Sequence, residues 1–376
     1  MGVMERLFTL MMEKKASDLF MAVNSPIHIK VSGQLVPINQ QKMDNATILS
    51  LLGEIVTPAR IEELERDNEL NMGIPVTGIG SFRLSAFRQR GSISAVFRYI
   101  PRDIPTMESL HLPTELADVI MEKRGLLLVV GSTGSGKSTT IASLLNYRNG
   151  IKTGHILTLE DPIEFLFQNK KSIVNQREVG TDAHTLAIAL KNALRQAPDC
   201  ILIGEIRDKE TMGAALAYAQ SGHLVVATLH ANNSYQALTR VINFYPIENR
   251  QSLLSDLSTT LKCIISQRLV SAIDGGRRAA VEVMFNTKHI ADLIEQGEIG
   301  QIKEAIEKSL SPGSQTFEQA LMLLIKDRVV TQEEAIAHAD SPSNLFWLIN
   351  NSQSEKKPVE EPKEEGATFT EFNLNV

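Results

Sequence analysis

A glycine-rich run, GSTGSGKST, occupies residues 131–139 and has the chemistry that is easiest to infer in this 376-residue chain. Four apolar residues precede it and TIASLL follows it, as expected for a loop between a strand and a helix. Glycines let the backbone turn tightly and direct successive N–H groups at one anion, and the following helix adds its positive end. The run is therefore predicted to bind the phosphates of a nucleoside triphosphate.

Two side chains of this loop have distinct predicted roles. Lys137 is predicted to reach the β- and γ-phosphates, and the hydroxyl of Ser138 is predicted to ligate Mg²⁺. The other predicted nucleotide-binding residues of the loop are Gly131, Ser132, Thr133, Gly134, Ser135, Gly136 and Thr139.

Acidic residues follow two further apolar runs. The segment DCILIGEIRD predicts a buried strand that ends in Glu205. A carboxylate in that place can orient or deprotonate a water for attack on the γ-phosphate, so Glu205 is the predicted catalytic residue. In LTLEDPIEF, the carboxylates of Glu160, Asp161 and Glu164 can hold a metal-bound water, although a solvated turn fits the same spacing.

The segment SGHLVVATLH predicts a strand with a histidine at each end. At its carboxyl end, Thr228 and His230 are placed to sense the γ-phosphate. About 20 Å of strand separates His223 from His230, so the two should not share a metal. On spacing alone, two structural histidines are the default interpretation of this pair.

Arginines recur in the N-terminal part, where Arg83 and Arg98 lie in strands rich in small and apolar residues. Guanidinium groups match phosphate geometry and stabilise charge in phosphoryl transfer. A solvated basic face or a nucleic-acid contact is the alternative. The net charge of −6 argues against nucleic acid as a partner.

The order of helical and strand patterns predicts two domains. A mixed α+β unit spans 1–100, a proline-bearing linker spans 101–113, and alternating strands and helices over 114–350 indicate a mainly parallel sheet. Within that unit, residues 250–270 are predicted to be helical. Residues 351–376 are charged and proline-bearing, which predicts a disordered acidic tail.

Bulk composition places the chain among cytosolic globular proteins. Hydrophobic residues make up 43% and two cysteines give no disulfide framework. No apolar run approaches the length of a membrane span, and charges in the first helical segment exclude a secretory signal.

In order and spacing, the four boxes GSTGSGKST, LEDPIEF, GEIRD and SGHLVVATLH resemble the Walker A, Asp box, Walker B and His box of secretion ATPases. These are RecA-like ring motors of type II and type IV secretion and type IV pili. The resemblance covers roughly residues 1–345. It implies a PAS-like N-terminal domain followed by a RecA-like ATPase domain that uses ATP and Mg²⁺.

The resemblance also implies roles and partners. Glu205 would be the catalytic glutamate, and Glu160, Asp161 and Glu164 the acidic box. His223 and His230 would form the His box. Arg83 and Arg98, and less securely Arg88, would reach the nucleotide as a homohexameric ring closes, with the 101–113 linker as the hinge.

The chain lacks the four-cysteine zinc motif of extension motors, so it resembles the retraction branch. Where the retraction motor PilT carries an AIRN-like helix, residues 289–293 read HIADL. With SPSNLFWLIN and the acidic tail, the chain resembles a PilT paralogue, and the resemblance implies that it assists PilT under an inner-membrane platform protein. It would then be cytoplasmic and peripheral to that membrane.

An ATP-binding scaffold with little hydrolysis is the alternative function, and a conjugative DNA motor is disfavoured by the acidic balance. Phe369, Phe372 and Leu374 are a candidate docking segment.

Overall fold

The computed structural model describes residues 2–31, 33–100 and 103–354. The first unit begins with a helix whose apolar face carries Phe8, and it ends with three long strands. Its elements are α1 (Val3–Glu13), β1 (Asp18–Ala22), β2 (His28–Val31), β3 (Gln34–Pro37), α2 (Asn45–Gly53), α3 (Pro58–Asp67), β4 (Glu69–Val76), β5 (Gly80–Gln89) and β6 (Ser92–Ile100).

The strands of this first unit form an antiparallel sheet in the order β3-β2-β1-β6-β5-β4. Side chains alternate between the two faces of the sheet. On β5, Phe82, Leu84 and Ala86 are buried on the core face, while the residues between them are more exposed. The ring of Phe8 stacks on Phe82 with centroids 3.9 Å apart, which fixes α1 against the sheet. This arrangement confirms the predicted α+β unit.

The second unit alternates strands and helices and then ends in helices. Its elements are α4 (Leu116–Met121), β7 (Gly125–Val130), α5 (Lys137–Ile151), β8 (Gly154–Glu160), β9 (Ser172–Glu178), α6 (Leu186–Ala193), β10 (Cys200–Ile203), α7 (Lys209–Gln220), β11 (Leu224–Leu229), α8 (Ser234–Asn243), α9 (Arg250–Thr260), β12 (Leu261–Ser271), β13 (Arg277–Phe285), α10 (Lys288–Gln296), α11 (Ile302–Glu307), α12 (Phe317–Lys326), α13 (Gln332–His338) and α14 (Pro342–Ser354).

The sheet of the second unit has the order β13-β12-β7-β11-β10-β8-β9, and every neighbouring pair is parallel except β12 with β13. All residues of β7, β10 and β11 are buried, as expected for a sheet with helices on both faces. The predicted mainly parallel sheet is confirmed. Because β7, β8, β10 and β11 run in the same direction, the loops that follow them meet at one edge.

Three predictions differ from the structure in detail. Residues 250–270 are not one helix, because α9 ends at Thr260 and the apolar run that follows is strand β12. Residues 103–113 of the predicted linker are packed on the second unit through the buried Met107 and Leu112, while Pro101 and Arg102 lie outside the described residues.

At the other end of the second unit, α14 takes the first four residues of the predicted tail. The rest of that tail, residues 355–376 with the candidate docking segment, lies outside the described residues. Over the ranges that are described, no helix combines the length and the apolar character that a bilayer span requires.

Candidate nucleotide-binding site

The phosphate loop connects β7 to α5 in a conformation that requires glycine. Gly134 has φ 78° and Gly136, the N-cap of α5, has φ 91°. A Cβ on Gly136 would stand 2.7 Å from the amide nitrogen of Gln267, whose Oε1 accepts a hydrogen bond of 2.7 Å from Thr140. The buried amide of Gln267 on β12 thus supports the loop from below, and any larger residue at 136 would displace it.

Lys137 lies within its own loop. Its ammonium group donates to the carbonyl oxygens of Gly131 at 2.9 Å and Ser132 at 2.8 Å. Partial burial lowers the pKa of Lys137, while the charges of Glu205 and Glu164 oppose that shift. The cation is therefore held at the loop, within electrostatic reach of the acidic residues.

Gly204 explains how Glu205 reaches this edge. A Cβ on Gly204 would stand 3.0 Å from the carbonyl oxygen of Leu159 and 3.2 Å from Cα of Glu160, both at the end of the neighbouring strand β8. The carbonyl of Gly204 also accepts a hydrogen bond from the hydroxyl of Thr228 at the end of β11. A side chain at position 204 would therefore require these strand ends to move apart by a few tenths of an ångström, whereas glycine leaves their packing undisturbed.

Both oxygens of the Glu205 carboxylate have cationic or imidazole partners. Oε2 accepts from Arg207 at 2.8 Å from Nε and 2.7 Å from Nη2, and Oε1 lies 3.3 Å from Nε2 of His230. His230 follows β11, so neighbouring strand ends bring the Walker B and His boxes into contact. The neighbouring Asp208 has a structural role, since it caps α7 by accepting from the amide of Thr211.

The acidic segment after β8 borders the same edge. Burial raises the pKa of the Glu160 carboxyl, although hydrogen bonds from Thr158 at 2.6 Å and Gln176 at 3.2 Å stabilise its charged form. Asp161 and Glu164 are exposed and line the cavity beside the loop. These carboxylates can accept hydrogen bonds from water or from a hydrated cation.

Two of the predicted arginines of the first unit, Arg83 and Arg98, are cross-strand neighbours in its sheet. Arg98 lies directly opposite Arg83 on β5 and Asp18 on β1, and it forms an ion pair of 2.9 Å with Asp18. Arg98 lines the nucleotide cavity, whereas Arg83 does not. Arg88 stands five positions after Arg83 on the same strand, an odd offset, and so belongs to the opposite face.

A single cavity of about 1160 Å³ unites most of the predicted residues. It is lined by Arg98, Thr133, Gly134, Gly136, Lys137, Ser138, Thr139, Glu160, Asp161, Glu164, Glu205, Thr228 and His230. Its volume is ample for a nucleoside triphosphate, since drug-sized ligands occupy several hundred Å³. Ser135 is buried, and its hydroxyl finds no hydrogen-bond partner in the described part of the chain.

The structure places His223 away from the nucleotide cavity, contrary to its predicted place in the site. It precedes β11, at the opposite edge of the sheet from His230, and its ring contacts the carbonyl of Tyr218 and the hydroxyl of Ser221. Its backbone carbonyl accepts a hydrogen bond from Gly125 at the start of β7. Six strand residues separate the two histidines, so His223 holds a turn and takes no part in the nucleotide cavity.

The structure adds residues that sequence reasoning missed. Arg207 stands two residues after Glu205 in the same GEIRD motif, so a cation close to the predicted catalytic carboxylate was the available signal. Arg277, at the start of β13, also lines the cavity. No sequence pattern marks Gln267, because its contact with the phosphate loop depends on β12 being the neighbour of β7.

Comparisons with known proteins agree with this site. The type II/IV secretion system protein family matches residues 2–336. The type IV pilus ATPase PilU of Pseudomonas aeruginosa is 45% identical over 346 residues, which cover 92% of this chain and 91% of that protein. The type IV pilus retraction ATPase PilT of the same organism is 40% identical, covering 88% of this chain and 96% of PilT.

A solved structure also resembles this one. The crystal structure of the pilus retraction motor PilT with bound ADP superposes with a TM-score of 0.86 at 36% identity, covering 92% of this chain and 99% of that chain. The nucleotide in that structure agrees with the phosphate loop described above. The chain therefore belongs to the type II/IV secretion system protein family, and within it to the ATPases of the PilT and PilU branch.

Proposed function

We propose that this chain is the subunit of a homohexameric motor that hydrolyses Mg-ATP to support retraction of type IV pili, acting together with PilT. The observation that carries the proposal is the position of Glu205, which faces the cavity at the same sheet edge as Lys137. A triphosphate held by the loop then has a carboxylate beside its γ-phosphate. The similarity to PilU and PilT supports the task assigned to the hydrolysis.

In this mechanism, the loop N–H groups and Lys137 bind the β- and γ-phosphates, and Glu205 orients and deprotonates the attacking water. The hydroxyl of Thr228 and the ring of His230 connect the γ-phosphate position to the end of β11. Arg98, which lines the cavity, and Arg83, which lies opposite it on the neighbouring strand, supply guanidinium groups from the first unit when the two units close on the nucleotide.

Mg²⁺ fits the residues present. Across the described residues, no group of three or more His, Cys, Asp or Glu side chains is arranged to hold a metal. Mg²⁺ is commonly bound through one or two protein ligands, waters and substrate phosphates, which matches Ser138 as its protein ligand with Glu160, Asp161 and Glu164 facing its waters. When bound, the ion neutralises charge on the phosphate oxygens.

The assembly that we propose is a ring of six copies docked beneath an inner-membrane platform protein, on the cytoplasmic side. The helix that differs from PilT supports an assisting role. Ile290 and Leu293 of its HIADL segment are buried, and Lys288 pairs with Asp292 at 3.1 Å on the exposed side of the helix.

Substitutions in the purified chain test the assignment. Glu205→Gln should lower ATP turnover by about a hundred- to ten-thousand-fold while ATP still binds, because it removes the base and keeps the shape. Lys137→Ala should abolish binding itself. Glu248→Gln, which changes an exposed carboxylate outside the cavity, is the matched control and should leave both unchanged. Turnover by Glu205→Gln at the control level would disprove the mechanism.

The scaffold alternative is separated by a second measurement. Cells that carry PilT and the Glu205→Gln form of this chain should retract pili less forcefully than cells with the unchanged chain. Full retraction by that variant, together with its loss of ATP turnover in vitro, would make the chain an ATP-binding scaffold. The mass of the purified assembly, measured by light scattering with ATP and Mg²⁺, tests the hexamer independently.

A further inference from the structure

Two aromatic side chains point outward from α14. Phe346 is 51% exposed and Trp347 is 60% exposed, whereas Leu345 and Ile349 on the same helix are buried. We call Phe346 and Trp347 the α14 surface. Leu323, on the neighbouring helix α12, is also 51% exposed. Single exposed apolar residues are ordinary, but adjacent large aromatics on a packed helix are typical of an interaction site.

The chain itself contains a segment suited to this surface. Residues 355–366, which follow α14, are charged and polar, with two prolines and Val359 as the single apolar side chain. Residues 367–376 read ATFTEFNLNV and contain Phe369 and Phe372. The apolar residues of the 22 that follow Ser354 are therefore concentrated beyond a polar spacer.

Both the surface and the segment lie beyond the residues that the family model matches. The family match ends at residue 336, before α14 begins. The exposed aromatics and the aromatic-bearing segment thus both follow the matched region. The α14 surface and residues 367–376 are therefore apolar counterparts of each other within one polypeptide.

The spacer is long enough for the two to meet. From Trp347 to Ser354, α14 rises about 10 Å. Twelve spacer residues span up to about 40 Å when extended, so residues 367–376 can return to the α14 surface. A tether of this length gives the segment an effective concentration of about a millimolar, so a contact with a dissociation constant well below a millimolar is mostly formed.

We propose that residues 367–376 dock on the α14 surface of the same chain, with Phe369 and Phe372 packed against Phe346 and Trp347. The contact covers aromatic area that otherwise faces water, and each aromatic residue buries up to about 150–250 Å². Because the interaction is intrachain, it forms independently of ATP hydrolysis and of ring assembly.

Trp347 is the single tryptophan of the chain, so its fluorescence reports on this surface without background. The full chain should emit at shorter wavelength, and be quenched less by acrylamide, than a chain that ends at Gly366. A peptide of residues 367–376 should reverse both changes in the shortened chain. The double substitution Phe369→Ser and Phe372→Ser in the full chain should reproduce the shortening.

Two further variants control for side effects. Val359→Ser, in the spacer, should leave the emission of the full chain unchanged. Phe346→Ser, on the exposed side of α14, should weaken docking while Trp347 still reports. Identical emission from the full and shortened chains would overturn the proposal. Emission of the full chain that shifts on dilution would also overturn it, since a second copy and not its own segment would then cover the surface.

Discussion

Arg268 on β12 joins three segments at the base of α14. Its guanidinium forms an ion pair with Asp340, donates to the carbonyls of His338 at 2.5 Å and Asn232 at 3.2 Å, and lies 4.0 Å above the ring of Phe317. The side chains of Arg268 and Asp340 are only 19% and 15% exposed. Replacing Arg268 with Met should therefore destabilise the second unit strongly.

The magnitude follows from what Arg268→Met leaves behind. Removing one partner of a buried ion pair costs about 3–5 kcal/mol, because the other charge stays buried. Asp340 keeps one donor, the amide of Asn233 at 2.7 Å, so the lower end of that range applies. A loss of about 3 kcal/mol corresponds to a fall of about 1.5 M in the urea midpoint when the slope is about 2 kcal/mol/M.

Urea unfolding followed by far-ultraviolet circular dichroism measures this shift. Lys308→Met removes an exposed ion pair with Glu304 and should cost less than about 1 kcal/mol, which makes it the matched control. Arg268→Lys should fall between the two, because lysine keeps the charge and loses the planar fork. A midpoint for Arg268→Met equal to that of the control would refute the reasoning.

Two further predictions concern buried titratable groups. Burial raises the pKa of the Cys200 thiol to about 11 and raises that of Cys263 further, so neither should react with a thiol reagent at pH 8 until denaturant is added; labelling of the native chain would contradict their burial. Burial also raises the pKa of the Glu282 carboxyl above its ordinary 4.5. At pH values between the ordinary and the raised pKa, the folded chain therefore keeps a proton on Glu282 that the unfolded chain has lost. Stability should therefore fall as pH rises from about 4.5 through the raised pKa, and Glu282→Gln should remove that fall; parallel urea midpoints for both forms across this range would contradict it.

Most residues predicted for the site lie at one edge of the sheet because of one property of parallel sheets. Each box follows an apolar run, and runs that alternate with helices become parallel strands whose ends meet. Lys137, Glu160, Glu205 and His230 could therefore be placed together without knowing the strand order. The same argument places His223 at the opposite edge, since it precedes its strand.

What the sequence could not provide were contacts that depend on strand order and on β12. The run after Thr260 is apolar and continues a helical pattern, and short apolar runs of this kind do not distinguish strand from helix. With β12 unrecognised, neither the support of the phosphate loop by Gln267 nor the junction at Arg268 could be predicted. The steric need for Gly204 also appears only when the end of β8 lies beside it.

The charged groups of the site are already paired within the chain, and this bears on how a nucleotide changes the structure. Lys137 donates to two carbonyls of its own loop, and Glu205 is shared by Arg207 and His230. In the proposed mechanism, a phosphate would compete with those carbonyls for Lys137, and the attacking water would compete with the partners of Glu205. A ligand shifts conformation only through contacts that differ between states. These exchanged contacts supply such a difference at the loops that follow β7, β10 and β11, and the loop after β11 leads through Asn232 to Arg268 and the base of α14.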